Sequence, residues 1–349
     1  MSEKGLTREL PIPTFFDLER VGEVWRAPYQ ERAAQAREWT QTYQISPAAE
    51  DRFRICLVLI DVQNTFCIPG FELFVSGRSG MGAVDDNKRL CQFIYRNLAR
   101  LTHIKATLDT HYAMQIFHPV FLVDQQGRHP QPYTLVTRED LQKGRWSFNP
   151  AVGEMLGISP EYGQRHLEHY VKALEDRQKF DLTIWPYHAM LGGIGHALVP
   201  SIEEAIFFHG LARYSQPEFE IKGRNPLTEH YSAVGPEVID GPDGKKLAEK
   251  SKEFLQMVID FDAVIICGQA KSHCVAWTVS DLLADIRAND AGLAGKVYLL
   301  EDCSSPVVVP GAVDYTEAAE VEYQRFAQAG MHLVRTDQAL EEWPGIPPA

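Results

Sequence analysis

Three residue types with complementary chemistry stand in separate polar segments: Cys274 in GQAKSHCV, Asp61 at the head of DVQNTF, and Lys222 in EIKGRNP. Cys274 follows a polar loop and begins the amphipathic run CVAWTVSDLLADI. Its sulfur is therefore expected at the positive end of a helix, where thiolate is favoured. A carboxylate beside that sulfur can take its proton, and an ammonium beside both can support developing negative charge. Taken singly, each residue has a plainer reading: Cys274 as an inert buried cysteine, Asp61 as a cap, Lys222 as a solvated turn residue. The chemistry requires all three at one place.

A second set points to a metal. Asp109 and His111 stand at i and i+2 in LDTH at an expected strand end, so their side chains project to one side. His188, in TIWPYHAML, is a candidate third ligand. One carboxylate and two imidazoles suit zinc, iron(II) or manganese, and ligand type alone does not choose among them. A DxH pair by itself is equally a capped strand end. GGIG at 192–195 completes neither phosphate-loop pattern, so no nucleotide site is expected.

Convergence of such distant residues depends on the elements that carry them. Apolar runs at 55–61, 103–109, 205–210, 263–268, 296–302 and 331–336 read as buried strands. Helical spacing joins Leu90, Phe93, Ile94, Leu98 and Leu101, and likewise Val275, Val279, Leu282, Leu283 and Ile286. Alternating strands and helices predict an α/β three-layer sandwich with a central, mainly parallel six-stranded sheet flanked by helices, plus insertions. In such sheets ligands bind at the carboxyl ends of the strands, where Asp61, Asp109 and the loop before Cys274 fall.

The 349 residues fit one elaborated domain over 51–340. Residues 1–50, helical around Arg32 to Tyr43, form an expected arm that packs on the core or makes an oligomer contact, and a homo-oligomer is expected. Insertions are placed at about 119–183, where Ser159 and Pro160 open a helix, and at about 224–250, rich in Gly, Pro and charge. A net charge of -13 disfavours nucleic acid or anionic membrane as partners. MSEKGLTREL has no apolar signal core and no apolar run reaches bilayer length, so a cytoplasmic setting is expected. The six cysteines form no CxxC pair and are expected to be reduced, with Cys56 and Cys267 buried in strands.

DVQNTF, IKG at 221–223 and CGQAKSHCV at 267–275 resemble, in order and spacing, the three catalytic motifs of the nicotinamidase and isochorismatase superfamily of cysteine hydrolases. The resemblance runs from roughly residue 54 to 338, interrupted by the insertions, and includes KVYLLEDCSS and the helix around Glu317 to Gln328. It implies Asp61, Lys222 and Cys274 as the catalytic set, an unusual cis peptide at Gln269–Ala270, and an oxyanion hole made by the backbone amides of Ala270 and Cys274. DTH followed by WPYH is similar to the nicotinamidase pattern in which Asp109, His111 and His188 hold one divalent transition metal within reach of a pyridine nitrogen, zinc ahead of iron or manganese. Phe66 and Trp185 match positions flanking the substrate ring, and Gln269 and His273 are further expected substrate contacts. Thr110 and Ala189 depart from the pattern, where Trp and Cys are common, and Gln269 and Lys271 are bulkier than expected in their loop. The implied activity is hydrolysis of nicotinamide or a related small-molecule amide. Alternatives are another amide or ureide with the same catalytic set, and a catalytically silent interaction protein on this fold.

Overall fold

A computed structural model of the chain describes residues 9–177, 179–311 and 313–348; of the arm expected over 1–50, residues 1–8 lie outside the described residues. Six strands, β1 (Ile55–Ile60), β2 (His103–Asp109), β3 (Glu218–Lys222), β4 (Ala263–Gly268), β5 (Val297–Leu300) and β6 (His332–Val334), form one sheet in the order β6-β5-β4-β1-β2-β3. Every neighbouring pair is parallel.

Alternation along β1 explains the layers. Ile55, Leu57 and Leu59 pack on one side with α2 (Gly82–Arg96) and α4 (Pro200–Arg213). Cys56, Val58 and Ile60 pack on the other with α5 (Glu253–Asp260), α6 (Ala276–Asn289) and α7 (Thr316–Gln328). With helices on both faces, the whole of β1 is buried and reads as an unbroken apolar run. Each such side chain contributes roughly 1.5–3 kcal/mol by leaving water.

The run at 205–210, expected as a strand, lies inside α4. Pro200 opens that helix, and Arg32 of α1 (Tyr29–Tyr43) donates to the buried Glu204 at 2.6 Å, so α1 covers the side that the core does not. A helix enclosed on most sides loses its polar stripe, and a short apolar run then cannot be told from a buried strand. The sixth place in the sheet belongs to β3. Glu218, Phe219 and Ile221 are exposed there, because β3 borders the sheet and pairs only with β2.

The expected insertion at 119–183 contains α3 (Pro160–Asp176), capped as anticipated by Ser159, whose Oγ accepts from Tyr162 N at 3.2 Å. It builds a separate apolar cluster from Phe121, Phe148, Leu167, Tyr170 and Leu182. Between β3 and α5 the described residues form no helix or named strand, yet Thr228, Ser232 and Val238 are fully buried. All six cysteines are unpaired and buried. No helix among the described residues is long and apolar enough to cross a membrane.

Gly268 closes β4 at φ +122°, and a Cβ there would lie 2.1 Å from Ile60 O and 2.7 Å from Ile60 N. Gly268→Ala should cost at least about 3 kcal/mol, while Gly295→Ala, which meets nothing within 4 Å, should stay within about 0.5 kcal/mol. Urea unfolding midpoints of the two variants provide the check, and equal midpoints would show that β1 and β4 tolerate a wider spacing here.

Candidate active site

Sheet order brings the separated residues together. Asp61 follows β1, Asp109 ends β2, Lys222 ends β3, and Cys274 lies in a wide turn joining β4 to α6. These four strands are consecutive in space, and Asp109 pairs with Lys222 in the register of β2 and β3. Asp61 adopts φ 48°, an uncommon conformation for a non-glycine residue. It is held there by Thr107, whose Oγ1 accepts from Asp61 N at 3.0 Å and donates to Asp61 Oδ1 at 2.6 Å.

Lys222 Nζ lies 2.9 Å from Asp61 Oδ2, 2.9 Å from Asp109 Oδ1 and 3.6 Å from Cys274 Sγ, and donates to His230 O at 2.8 Å. All four acid, base and thiol side chains are buried. Burial acts to lower the lysine, but Asp109, Asp61 and Cys274 reverse this and hold it well above its ordinary value. Burial pushes the Asp61 carboxyl up, against Lys222. Burial likewise drives the Cys274 thiol well above its usual range; Lys222 opposes this, and Asp61 and Asp109 reinforce it. Desolvation and two nearby carboxylates thus work against the thiolate that the helix end favours, with Lys222 as the counterweight.

Asp109, His111 and His188 are buried together, with one donor atom from each lying within 4.8 Å of the others. His111 Nε2 is 2.8 Å and His188 Nε2 3.7 Å from Asp109 Oδ2. His188 Nδ1 lies 2.8 Å from Pro186 O and His111 Nδ1 3.4 Å from Gly223 O, so the carbonyls sit behind the rings and the Nε2 atoms face the carboxylate. Gln63 fixes that carboxylate's backbone: its amide donates to Asp109 O at 2.9 Å and accepts from Asp109 N at 2.8 Å. Lys222, Asp61 and Asp109 together carry one surplus negative charge when ionised. The donor set and this charge balance fit a divalent cation.

A cavity of about 220 Å³ opens onto Cys274 and Asp109. Phe66, Trp185 and His273 line it, with Ala270 beside them. The amide of Ala270 donates to no backbone acceptor among the described residues, and the Gln269–Ala270 peptide is cis. His273 Nδ1 lies 2.8 Å from Ser272 Oγ, and burial lowers the imidazole to about 4, so it is neutral at neutral pH.

Two residues of this loop turn away from the cavity. Gln269, expected to contact substrate, is fully buried, donating to Asp86 Oδ2 at 2.8 Å and accepting from Ser305 N at 3.3 Å. Lys271 reaches Glu320 at 2.5 Å and lies 4.3 Å over the Tyr323 ring. Their bulk is absorbed by the scaffold and does not narrow the substrate space. Other cavity residues escape sequence reasoning: Glu229 and Tyr231 from the irregular segment after β3, and Val307, Val308 and Val309 after β5. Glu229 Oε1 accepts from His230 N at 3.0 Å, Oε2 has no partner among the described residues, and burial raises the carboxyl to about 7. No periodic signal marks these positions. The remaining histidines serve locally: His118 Nδ1 lies 3.0 Å from Tyr112 O, His209 Nε2 2.8 Å from Leu101 O, and His196 Nε2 2.8 Å from Thr110 Oγ1. His230 contributes its carbonyl to Lys222.

No protein-family model and no curated protein matches the chain. Among solved structures it is similar to a nicotinamidase/pyrazinamidase of Acinetobacter baumanii, with 18% identity, 82% of this chain and 99% of that chain covered, and a TM-score of 0.48. Yeast nicotinamidase gives 18%, 80%, 99% and 0.49 in the same terms. A pyrazinamidase of Pyrococcus horikoshii, solved in complex with zinc, gives 16%, 81%, 99% and 0.42.

Asp86, behind the Gln269 loop, is raised to about 6 by burial, against hydrogen bonds from Ser305 and Gln269 and the charge of Arg89. A carboxyl raised on folding stabilises the fold fully below its unfolded value, near 4, and loses that contribution as pH rises through 6. Wild type should therefore lose about 3 kcal/mol relative to Asp86→Asn between about pH 4 and pH 7. Paired urea titrations across that range measure the difference, and a constant gap would mean that Asp86 is not raised.

Proposed function

We propose that the protein is a cysteine amidohydrolase of the isochorismatase-like superfamily, of the nicotinamidase-like branch, acting on nicotinamide or a related heteroaromatic carboxamide. One observation carries this reading: the Lys222 ammonium touches Asp61, Asp109 and the Cys274 sulfur at the floor of a cavity walled by Phe66 and Trp185. A silent binding protein has no use for a buried ammonium, two carboxylates and a thiol assembled at such desolvation cost. The net charge of -13 supports a small molecule over nucleic acid or anionic membrane.

The flat ring of the substrate enters between Phe66 and Trp185, which orient its carboxamide toward Cys274. Asp61 accepts the Cys274 thiol proton as sulfur bonds to the carbonyl carbon. The carbonyl oxygen takes the negative charge and is held by the amides of Ala270 and Cys274, each contributing about 3 kcal/mol to the barrier reduction. Protonated Asp61 passes its proton to the amide nitrogen, the C–N bond breaks, and ammonia leaves a thioester on Cys274. Water then gives a proton to Asp61 and its oxygen bonds to the carbonyl carbon. The C–S bond breaks, sulfur recovers the proton from Asp61, and the acid departs as carboxylate after losing its proton to ammonia. Lys222 keeps the changing charge compensated throughout.

Asp109, His111 and His188 would hold the metal, zinc ahead of iron or manganese, which when bound supplies a Lewis acid for a ring nitrogen. A second reading, a bulkier amide or ureide on the same machinery, is favoured by the apolar wall of Phe71, Phe74 and Val307–Val309.

Purified protein incubated with nicotinamide should release ammonia, and Cys274→Ala should lower kcat at least about a thousandfold. Release that survives in Cys274→Ala would exclude the thioester route, and release from a bulkier amide only would select the second reading. Elemental analysis should find close to one transition ion per chain and little in Asp109→Ala; a variant with unchanged metal would remove Asp109 from the ligand set.

A further inference from the structure

The Ala270 amide, to which the proposed hydrolysis assigns the oxyanion, belongs to a segment whose flanking side chains are both anchored elsewhere. On one side Gln269 bridges two elements: its Nε2 donates to Asp86 Oδ2 on α2 at 2.8 Å, and its Oε1 accepts from Ser305 N after β5 at 3.3 Å. On the other side Lys271 N donates to Ser305 O at 2.8 Å, and its ammonium is tied to Glu320 of α7. Asp86 is itself fixed, for Arg89 Nη2 donates to Asp86 Oδ1 at 2.8 Å and Arg89 Nε donates to Asp302 O at 2.5 Å. Gly82 at the start of α2 lets this corner close: a Cβ there would meet Ser305 Oγ at 2.6 Å. Asp86 and Gln269 are nearly or wholly inaccessible to solvent, so water does not substitute readily for either bond.

We infer that Asp86 is a positioning residue for the reaction: acting through Gln269, it sets the direction of the Ala270 N–H toward the oxyanion. The inference rests on the proposed amide hydrolysis and adds to it a residue about 190 positions away in sequence from the thiol, on a different helix and outside the cavity. The Gln269–Asp86 bond shows why a long amide side chain occupies a loop position that faces the core. A pre-aimed donor stabilises the oxyanion more than the ground-state carbonyl, so loosening it lowers kcat and leaves substrate affinity in place.

The test compares wild type, Asp86→Asn, Gln269→Met and the reversed pair Asp86→Asn/Gln269→Glu as full chains, on whichever amide wild type hydrolyses. Both single variants should lose roughly tenfold to a hundredfold in kcat with KM within about threefold, and the reversed pair, which restores one donor facing one acceptor, should recover most of the loss. Alkylation of Cys274 by iodoacetamide should proceed at the wild-type rate in all four, since Lys222 and Asp61 are untouched; this also reports that each variant is folded around the thiol. Wild-type kcat in folded single variants, a loss confined to KM, or no recovery in the reversed pair overturns the positioning role. An inactive wild type overturns the amide-hydrolase reading itself, a result distinct from all three.

Discussion

One ammonium buried between two carboxylates organises this protein. Taking Lys222, Asp61 and Asp109 out of water costs several kcal/mol per charge, and only close mutual contact returns it. The contacts require the carboxyl ends of β1, β2 and β3 to lie side by side, which the parallel sheet provides. Thr107 then holds the Asp61 carboxylate and Gln63 holds the backbone of Asp109, so that both carboxylates face the lysine. Cys274 joins this cluster with its sulfur 3.6 Å from the lysine.

Much of the architecture was legible because buried strands and motif residues leave local marks. β1 and β4 are apolar runs, as strands covered on both faces must be, while β2 mixes Ile104, Ala106 and Leu108 with polar residues; the ends of all three carry the residues that define the site. Where covering is unequal, the pattern misleads. α4, shielded by α1 as well as the core, lost its polar stripe and resembled a strand, while β3 on the border reads EFEIK, a short alternation with charged and exposed residues and no apolar run. The site was legible where it sits on strand ends. Glu229 and Tyr231 were not, since an irregular segment places side chains by its own turns and buried hydrogen bonds, with no period to read. Gln269 and Lys271 show a further limit: adjacency to a reactive residue does not specify which way a long side chain points.

Asp109 serves two neighbours at once. One carboxylate oxygen meets Lys222 and the other meets the imidazole pair, so the ammonium and any cation held by His111 and His188 share one anion. The lysine–carboxylate–thiol cluster and the aspartate–histidine group are therefore parts of one electrostatic unit. The surrounding histidines suit that arrangement: burial keeps His273 and His230 uncharged near neutral pH, so neither competes for the carboxylate, and His273 adds polarity to the pocket.

Lys222 is the last residue of β3, one of the two border strands, with a neighbour on one side only. Border strands have half the lateral support of interior ones and detach first when a sheet is warmed. The ammonium thus rides on a border strand, whereas the sulfur follows β4 in the interior of the sheet. Gentle heating would then part the lysine from its carboxylates while the interior strands stay paired.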